Sequence, residues 1–461
     1  MKNVILISAM AAALLCSCGG SNQKNAFDNP VLDIQGGSIQ GITNADSTVL
    51  IYRGIPYATP PVGDLRWKKP QPVKAWTGVK VADTFGNASY QGPKNPNDGE
   101  YGTEFYPENP VYSEDCLYLN VWTPAGAPAS GEKLPVAMWI HGGGYNVGWG
   151  YELPMDGEAW ANKGVILVTI NYRVGMFGFM NHPLLTAEGG GHSGNYGLYD
   201  QIAALKWIND NISAFGGDPS NITVFGQSAG AGSVKNVVSS PLSKGMVARA
   251  IIQSGGGLGS GMPQITIPQE ALDAPSKKFF DAAGYDTLEK LRGASFEELM
   301  AALPDWRSPE SVRFGPHNDS EVLPEDFNVA TMNGHIADIP YMMGHCGDDM
   351  PGMENGEKRF AQVRDSLSTN PVFLYLFNRP LPSDGRPSLK GSFHSSELWY
   401  VFGTLSRSWR PFTKGDYALS DEMVTCWTNF CKYGDPNGEN GGNWKSAKGE
   451  ECFVKEFKVV E

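Results

Sequence analysis

The sequence predicts an α/β fold in which a central, mostly parallel sheet is covered by helices on both faces. Two observations lead to this prediction. Short apolar runs bounded by turn residues recur along the chain and are typical of buried strands. Helical stretches separate these runs, and such alternation indicates a parallel sheet covered on both sides. The runs span 136–140, 165–171, 222–225, 250–253, 339–344 and 372–377.

The stretch 197–211 shows the helical half of the pattern. Apolar residues recur near i, i+4, i+7 spacing at Leu198, Ile202, Leu205 and Ile208, which places them on one face of a helix. In open parallel sheets, ligands bind beyond the carboxyl ends of the strands. We therefore expect functional residues in the loops that directly follow the predicted strands.

The composition is that of a large, acidic, globular domain, which we assign to 30–461. Of the 461 residues, 41% are hydrophobic, enough for a large buried core. Acidic residues number 49 against 36 basic ones, which gives a formal net charge of −13. Because no run of Lys and Arg interrupts this balance, nucleic acid is not expected as a partner.

Residues 1–17 have the pattern of an export signal. Lys2 precedes an apolar run over 4–15 that is too short to span a bilayer. The segment ends Leu-Cys-Ser-Cys at Cys18, which resembles the lipobox of bacterial lipoproteins. We expect lipidation of Cys18, a polar tether over 18–29, and an exported, membrane-anchored protein in the periplasm or at the cell surface. The alternative is an ordinary secretory signal.

The cysteines that remain after this processing are odd in number, so at least one thiol must be unpaired. They are Cys116, Cys346, Cys426, Cys431 and Cys452. The sequence has no CxxC pair and no His-rich cluster with metal-ligand spacing. We therefore predict no metal and no cofactor.

The segment 222–230 has the pattern of a nucleophile elbow. A β-branched and aromatic strand runs directly into Gly-Gln-Ser-Ala-Gly, and small residues open a helix after it. Gly226 and Gly230 matter because a side chain at either position would collide with a neighbouring strand or helix as the chain reverses. This order of strand, elbow and helix is typical of the α/β-hydrolase fold and predicts Ser228 as a nucleophile. A coincidental loop is the alternative.

A second loop with a candidate catalytic role follows the strand predicted at 136–140. It reads His141-Gly-Gly-Gly, so its backbone amides are not screened by side chains. Such amides can bind the oxyanion of a tetrahedral intermediate. We predict an oxyanion hole from the amides of Gly143, Gly144 and Ala229; the alternative is a flexible surface turn.

Over nearly the whole body, the sequence resembles the type B carboxylesterases, the family that includes cholinesterases and p-nitrobenzyl esterases. The resemblance is carried by Tyr-Arg-Gly-Ile-Pro-Tyr-Ala at 52–58 and by matching segments at 60–67, 113–120, 171–178, 194–201 and 215–221. It implies a serine ester hydrolase that acts on a small-molecule ester.

The resemblance also implies a catalytic base, because the family places it in a Phe-His motif that is Phe393-His394 here. A serine nucleophile needs a base with a pKa near neutrality, and imidazole supplies one. His141 belongs to the predicted oxyanion loop. The other histidines lack a strand-end loop in the expected chain order, and they are His182, His192, His317, His335 and His345.

The acid that orients the base is expected in the loop after the strand 339–344, because this loop lies between nucleophile and base in the chain. In the family the loop ends Asp-Glu-Gly, and the Glu is the catalytic acid. Asp349 occupies that position here. Asp348 remains the alternative if the loop is shifted by one residue.

The sequence departs from the family pattern in further places, and two of them concern single residues. Cys116 lacks its usual disulfide partner because 85–91 contains no cysteine, so we expect a buried free thiol. Gln227 stands where Glu is common, which removes a negative charge and makes a choline ester a less expected substrate. Aromatic residues beside the motifs are either pocket walls or core residues, and they are Tyr145, Trp149, Trp399 and Phe402.

The resulting hypothesis is a serine carboxylesterase that forms an acyl-enzyme through Ser228, His394 and Asp349. Two alternatives stay open. One is a catalytically silent, cholinesterase-like binding protein, which the presence of Ser228 and His394 argues against. The other is a lipase or aryl esterase on the same triad. The sequence does not predict the natural ester or the oligomeric state.

Overall fold

The computed structural model describes residues 29–91, 99–106, 110–259, 267–305 and 308–459. The predicted signal segment, Cys18 and nearly all of the predicted tether lie outside these residues. In the described part of the chain, the strands form one large sheet and two small ones.

The strands have the following bounds: β1 (Val31–Ile34), β2 (Gly37–Gln40), β3 (Ile42–Thr43), β4 (Val49–Pro56), β5 (Val79–Val81), β6 (Ala88–Ser89), β7 (Tyr112–Ser113), β8 (Tyr118–Pro124), β9 (Leu134–Ile140), β10 (Ile166–Ile170), β11 (Gly217–Gln227), β12 (Arg249–Gln253), β13 (Tyr341–Cys346), β14 (Val372–Phe377) and β15 (Val454–Phe457).

The α-helices have the following bounds: α1 (Gly99–Phe105), α2 (Ala127–Ser130), α3 (Glu158–Asn162), α4 (Gly175–Phe179), α5 (Pro183–Glu188), α6 (Tyr196–Asn211), α7 (Ala229–Ser239), α8 (Gln269–Ala282), α9 (Leu288–Gly293), α10 (Phe296–Ala302), α11 (Phe327–Met332), α12 (Met353–Leu367), α13 (Leu398–Val401) and α14 (Lys414–Tyr433).

The large sheet has the strand order β15-β14-β13-β12-β11-β9-β10-β8-β4-β3. From β15 to β10 every neighbouring pair is parallel. Beyond β10, the pairings β10–β8, β8–β4 and β4–β3 are antiparallel. The predicted α/β architecture with a mostly parallel sheet is therefore confirmed, and the antiparallel edge is an addition that the sequence patterns did not indicate.

All six predicted strands are present, and α6 begins one residue before the predicted helix. The largest difference is in β11, which spans Gly217–Gln227 although its predicted run spans 222–225. β13 differs at both ends, and it begins at Tyr341 although its apolar run begins at Ile339. Pro340 lies between them and has no N–H to donate to a sheet ladder, so regular pairing starts after it. The strand then extends to Cys346, two residues beyond the predicted end.

The sheet is buried on both faces because successive side chains of a strand point to opposite sides. In β9, Val136, Met138 and Ile140 pack into one apolar cluster with residues of α6 and α7. Ala137 and Trp139 pack into a second cluster, which includes residues of α14. The carboxyl ends of the parallel strands therefore open onto a single edge that is supported from both sides.

Cys116 is fully buried and its thiol is free, as predicted. Burial also raises the pKa of this thiol well above its ordinary value. Cys116 therefore packs as a small apolar side chain. Separately, the described helices include none that combines the length and the apolar character needed to cross a bilayer.

A buried ion pair supports the segment that leads into and out of His394. Arg410 and Glu104 lie 2.8 Å apart, and both side chains are almost completely inaccessible. Arg410 also donates to the carbonyl oxygens of Pro382 and Leu389 at 2.9 and 3.0 Å. Glu104 accepts from the indole N–H of Trp399 at 2.9 Å. The pair thus connects α1 to chain segments on both sides of the predicted base.

Glu104→Gln should lower the free energy of unfolding by ~3–5 kcal/mol, because it leaves the Arg410 charge buried without its counter-charge. Glu100→Gln is the matched control, since Glu100 is an exposed residue of the same helix. Chemical denaturation of both variants measures the difference. Equal stability of the two variants would show that the buried pair does not support the fold.

Candidate active site

Ser228 lies in the sharp turn between β11 and α7. Its backbone has φ 59° and ψ −123°, a conformation that costs free energy for a residue with a side chain. The Ser228 N–H donates to the carbonyl oxygen of Gln253 at 2.9 Å, and the Ser228 carbonyl accepts from Gly232 N–H at 3.0 Å. These bonds to β12 and α7 hold the turn, and Ser228 remains partly exposed.

The loop after β9 lies directly against this turn. A Cβ at Gly142 would lie 2.8 Å from the carbonyl oxygen of Gln227 and 3.2 Å from Cβ of Ser228. A Cβ at Gly230 would collide with the carbonyl oxygen of Ile140. Glycine at these two positions therefore lets the predicted oxyanion loop and the elbow meet at backbone distance.

His394 and Asp349 are in direct contact. His394 Nδ1 lies 2.9 Å from Asp349 Oδ1, and the Asp349 side chain is 1% exposed. Asp349 Oδ1 also accepts from the N–H of Met350 at 2.9 Å. A carboxylate on this nitrogen selects the tautomer with the proton on Nδ1, which leaves Nε2 as an acceptor.

Asp348 has a different set of partners. Its Oδ2 accepts from the N–H of Ser392 at 2.8 Å, and its own N–H donates to the Ser392 carbonyl at 3.0 Å. These bonds hold the loop before His394 without reaching the imidazole. The turn of the loop thus directs the two neighbouring carboxylates to different partners: Asp349 to the imidazole of His394 and Asp348 to the backbone of Ser392.

Burial lowers the pKa of His394, but the hydrogen bond and charge of Asp349 and the charge of Glu397 outweigh it, so the pKa lies above 6.5. For Asp349, burial raises the pKa and the contact with His394 lowers it. The lowering is the larger effect, so the pKa of Asp349 lies below its ordinary value. The two pKa shifts are opposite in direction, as expected when each group stabilises the charged form of the other.

Gln227 contacts the other nitrogen of the imidazole. Its Nε2 lies 3.2 Å from His394 Nε2, and with the tautomer that Asp349 selects, the amide donates and the ring accepts. From the sequence, Gln227 indicates only the loss of the negative charge of the usual Glu, and this contact with His394 is not predicted. The available signal was the position of Gln227 immediately before Ser228, because the Nε2 edge of the catalytic imidazole must lie close to the elbow.

Glu397 is a second functional neighbour that the sequence patterns missed. It is fully buried, and its carboxyl accepts from the thiol of Cys346 at 2.8 Å and from the amide of Gln253 at 3.4 Å. Burial raises the pKa of Glu397, while the contact with Cys346 and the charge of His394 oppose the shift. Its spacing, three residues after His394, was the only signal in the sequence.

The predicted oxyanion donors lie in the loop after β9 and at the start of α7. Among the described residues, none accepts a hydrogen bond from the amide N–H of Gly143, Gly144 or Ala229. For Ala229 this follows from its position as the first residue of a helix, where amides lack intrahelical acceptors. These amides therefore remain available to a ligand.

Ser228 opens onto a cavity of about 1110 Å³ whose wall is mostly apolar. Gly144, Tyr145 and Lys235 also line it, together with residues from α10 and from the loop before α11. Tyr145 is therefore a wall residue, in agreement with one of its two interpretations. In the described part of the chain, no group of His, Cys, Asp and Glu side chains is arranged to hold a metal ion.

The pocket assignment is wrong for Trp149, Trp399 and Phe402, which belong to the second apolar cluster. Phe402 packs on Trp139, with ring centroids 5.0 Å apart, and Trp399 stacks on Phe105 at 6.0 Å. All three are at most 3% exposed. They lie near the site in the sequence, but their side chains point into the core.

A serine in a strained elbow, an imidazole held by a buried carboxylate, and free amides beside them define a serine hydrolase of the α/β-hydrolase type. The model of the carboxylesterase family matches residues 28–358 and 353–458. The chain therefore belongs to the carboxylesterase family.

Similar proteins agree with this assignment. The para-nitrobenzyl esterase of Bacillus subtilis is 33% identical over 90% of this chain and 92% of its own length. The fumonisin B1 esterase of Sphingopyxis macrogoltabida is 32% identical over 90% and 85%. The structure of a Geobacillus stearothermophilus carboxylesterase matches with a TM-score of 0.76 and 31% identity, covering 93% of this chain and 96% of that one.

The predicted activity is confirmed at the level of the class: the protein is a serine carboxylesterase that hydrolyses carboxylic esters through an acyl-enzyme. The α/β-hydrolase fold is confirmed by the same structural neighbours. Because these relatives are esterases, a catalytically silent binding protein is not favoured.

The value of kcat/KM for a neutral ester should fall on acidification with a midpoint above pH 6.5. Only neutral imidazole can take a proton, and the raised pKa of His394 keeps the ring protonated up to a higher pH. A profile measured from about pH 5 to 9 locates the midpoint. An unchanged rate down to the acid end would exclude His394 as the base.

Asp349→Asn should lower kcat by about 10⁴-fold, because Asn keeps the shape but favours the wrong imidazole tautomer. It should also shift the acid midpoint to lower pH, since the charge that raises the pKa of His394 is lost. Asp348→Asn is the matched control and should retain most of the activity. Loss of activity in Asp348→Asn, with Asp349→Asn near wild type, would reverse the assignment.

Proposed function

We propose that Ser228, His394 and Asp349 form the catalytic triad of this carboxylesterase. His394 Nε2 takes the proton of Ser228 as its Oγ attacks the ester carbonyl, and the proton then passes to the departing alcohol. Water enters, gives a proton to His394, and attacks the acyl-enzyme. The acid leaves as Ser228 recovers its proton, and no cofactor takes part.

The observation that carries this proposal is the contact between His394 Nδ1 and Asp349 Oδ1 at 2.9 Å beside the elbow. It supplies the tautomer in which Nε2 can accept a proton, and Gln227 supports the same edge of the ring. During turnover, Ser228 would replace the Gln227 amide as the donor to Nε2. The contact is therefore compatible with a resting state of the base.

The oxyanion of each tetrahedral intermediate would bind to the amides of Gly143, Gly144 and Ala229. Their lack of acceptors among the described residues supports this role. Each donor of such a site contributes roughly 3 kcal/mol to transition-state stabilisation. Because all three are backbone groups on packed elements, little reorganisation is required when the charge forms.

The size and the apolar wall of the cavity favour esters with bulky acyl or alcohol groups over acetate-sized ones. A lipase or aryl esterase activity on the same triad would use the same space. A suitable panel includes p-nitrobenzyl esters, since a relative carries that name, together with aliphatic and aryl esters of increasing size.

A fluorophosphonate probe should label folded protein on Ser228 and abolish hydrolysis of the whole panel, because an activated serine attacks this electrophile. Peptide mass spectrometry identifies the labelled residue. Ser228→Ala should take up no label and hydrolyse none of the esters. Full activity with an unmodified Ser228 would contradict the proposed nucleophile.

We infer further that the protein is an exported lipoprotein, anchored through Cys18 and facing the periplasm or the cell exterior. The sequence supports this with Lys2, the short apolar run over 4–15, and the small residue Ser17 before Cys18. The polar tether over 18–29 would separate the catalytic domain from the membrane. Lipid anchoring would place the carboxylesterase where it meets extracellular esters.

The mature protein from a bacterial host should begin at Cys18 and carry acyl chains, and it should fractionate with membranes. Cys18→Ser should lose the acyl mass, whereas Cys16→Ser is the matched control and should keep it. Intact-mass spectrometry reads both outcomes. A mature, unacylated N-terminus at another residue would show an ordinary secretory signal.

A further inference from the structure

The cavity beside Ser228 contains a buried positive charge that the hydrolytic mechanism does not use. Lys235 is 7% exposed and lines the same cavity as Ser228. Both belong to the α7 region, and seven residues of helix place their Cα atoms about 10 Å apart along the axis. Lys235 therefore borders the same space as the nucleophile.

One face of α7 connects the nucleophile to this cation. Ser228, Gly232 and Lys235 stand at i, i+4 and i+7, and all three line the cavity. Gly232 has no side chain, and the hydroxyl of Tyr145 packs against it. A substrate that reaches from Ser228 to Lys235 therefore lies over Tyr145, within the cavity that all of these residues line.

Lys235 has only neutral direct partners in the described part of the chain. Its Nζ donates to the carbonyl oxygen of Gly255 at 2.6 Å and lies 5.1 Å from the ring centroid of Phe327. No carboxylate there forms an ion pair with it. Since an ammonium has three N–H donors, it retains hydrogen-bonding capacity after the bond to Gly255.

Two carboxylates act on Lys235 through their charge, and among the described residues each has one oxygen bonded elsewhere and one without a hydrogen bond. Glu357 is paired with His345 at 2.9 Å, and Asp326 accepts the amide of Asn328 at 2.8 Å as the cap of α11. Their charges reach Lys235 only at longer range, and burial outweighs them, which lowers the pKa of Lys235 to about 8. At neutral pH the group is therefore still mostly charged.

A buried charge without a directly paired counter-charge is costly, and a ligand of opposite charge lowers that cost. The rest of the wall gives such a ligand an apolar lining for its connecting chain. Among the described residues, the other charged residues on the wall are Asp305, Asp326 and the exposed Arg313. Of the cations in this described part of the wall, Lys235 alone is both buried and on the helix that follows the nucleophile.

We propose that Lys235 binds a carboxylate of the substrate, so that this carboxylesterase prefers anionic esters, such as half-esters of dicarboxylic acids, over neutral ones. The proposal rests on the proposed triad, because Ser228 sets the position of the ester bond. The carboxylate belongs either to the acyl part or to the alcohol part, according to which of them lies along α7.

The test compares anionic esters with neutral esters of matched length in two arms. The first arm places the carboxylate on the acyl side, with p-nitrophenyl half-esters of dicarboxylic acids against p-nitrophenyl esters of fatty acids. The second places it on the alcohol side, with O-acetyl hydroxy-acids against alkyl acetates. The readout in each arm is the ratio of kcat/KM for the anionic ester to that for the neutral ester.

In the arm that matches the natural orientation, the wild-type ratio should exceed one, and Lys235→Met should lower it by about 10- to 100-fold, the range for a charged hydrogen bond. Lys244→Met is the control, since Lys244 is exposed just beyond α7. It should leave the ratio unchanged. A ratio of one or less in both arms, or a ratio that Lys235→Met does not lower, would overturn the proposal.

Wild-type protein provides a second readout if Lys235→Met does not fold. The ratio should fall as the pH rises through about 8, because Lys235 then loses its charge. Titration of His394 acts on both esters and cancels in the ratio. A ratio that stays constant across this range would also overturn the proposal, whereas failure to hydrolyse any ester would contradict the triad itself.

Discussion

The site depends on the strained backbone of Ser228, which is held at φ 59° and ψ −123°. Such a conformation costs about 1–3 kcal/mol and persists only where the surroundings enforce it. Here the hydrogen bond to Gln253 and the close packing of Gly230 against Ile140 enforce it. Because β11 lies between β9 and β12, the strain is supported by the middle of the sheet.

From this constraint follows the placement of the other groups. The loops after β9 and β13 leave the same sheet edge, so they bring unblocked amides and Asp349 towards the elbow. The buried carboxylate then polarises His394, and the neutral amide of Gln227 contacts the ring without adding a charge. The site therefore combines one strong charge interaction with several neutral dipoles, an arrangement suited to stabilising a transient oxyanion.

Much of the parallel sheet and the order of the site residues could be predicted, because apolar runs and the elbow motif are local patterns. The antiparallel edge was missed, since β3 has two residues and its partner strands were not recognised as apolar runs. The choice between Asp348 and Asp349 depends on a loop turn that spacing does not determine. Spacing along the sequence also does not determine side-chain direction. Trp399 and Lys235 both lie close to motifs, but Trp399 packs in the core and Lys235 lines the cavity.

In the proposed mechanism, Ser228 carries the acyl group during turnover. The most direct measurement is acid-quenched peptide mass spectrometry during hydrolysis of an ester whose acyl-enzyme hydrolyses slowly. We expect an added acyl mass on the peptide that contains Ser228, which disappears as the substrate is exhausted. Continued turnover with the acyl mass on another residue, or with no acylated peptide under conditions that trap such an intermediate, would contradict this role of Ser228.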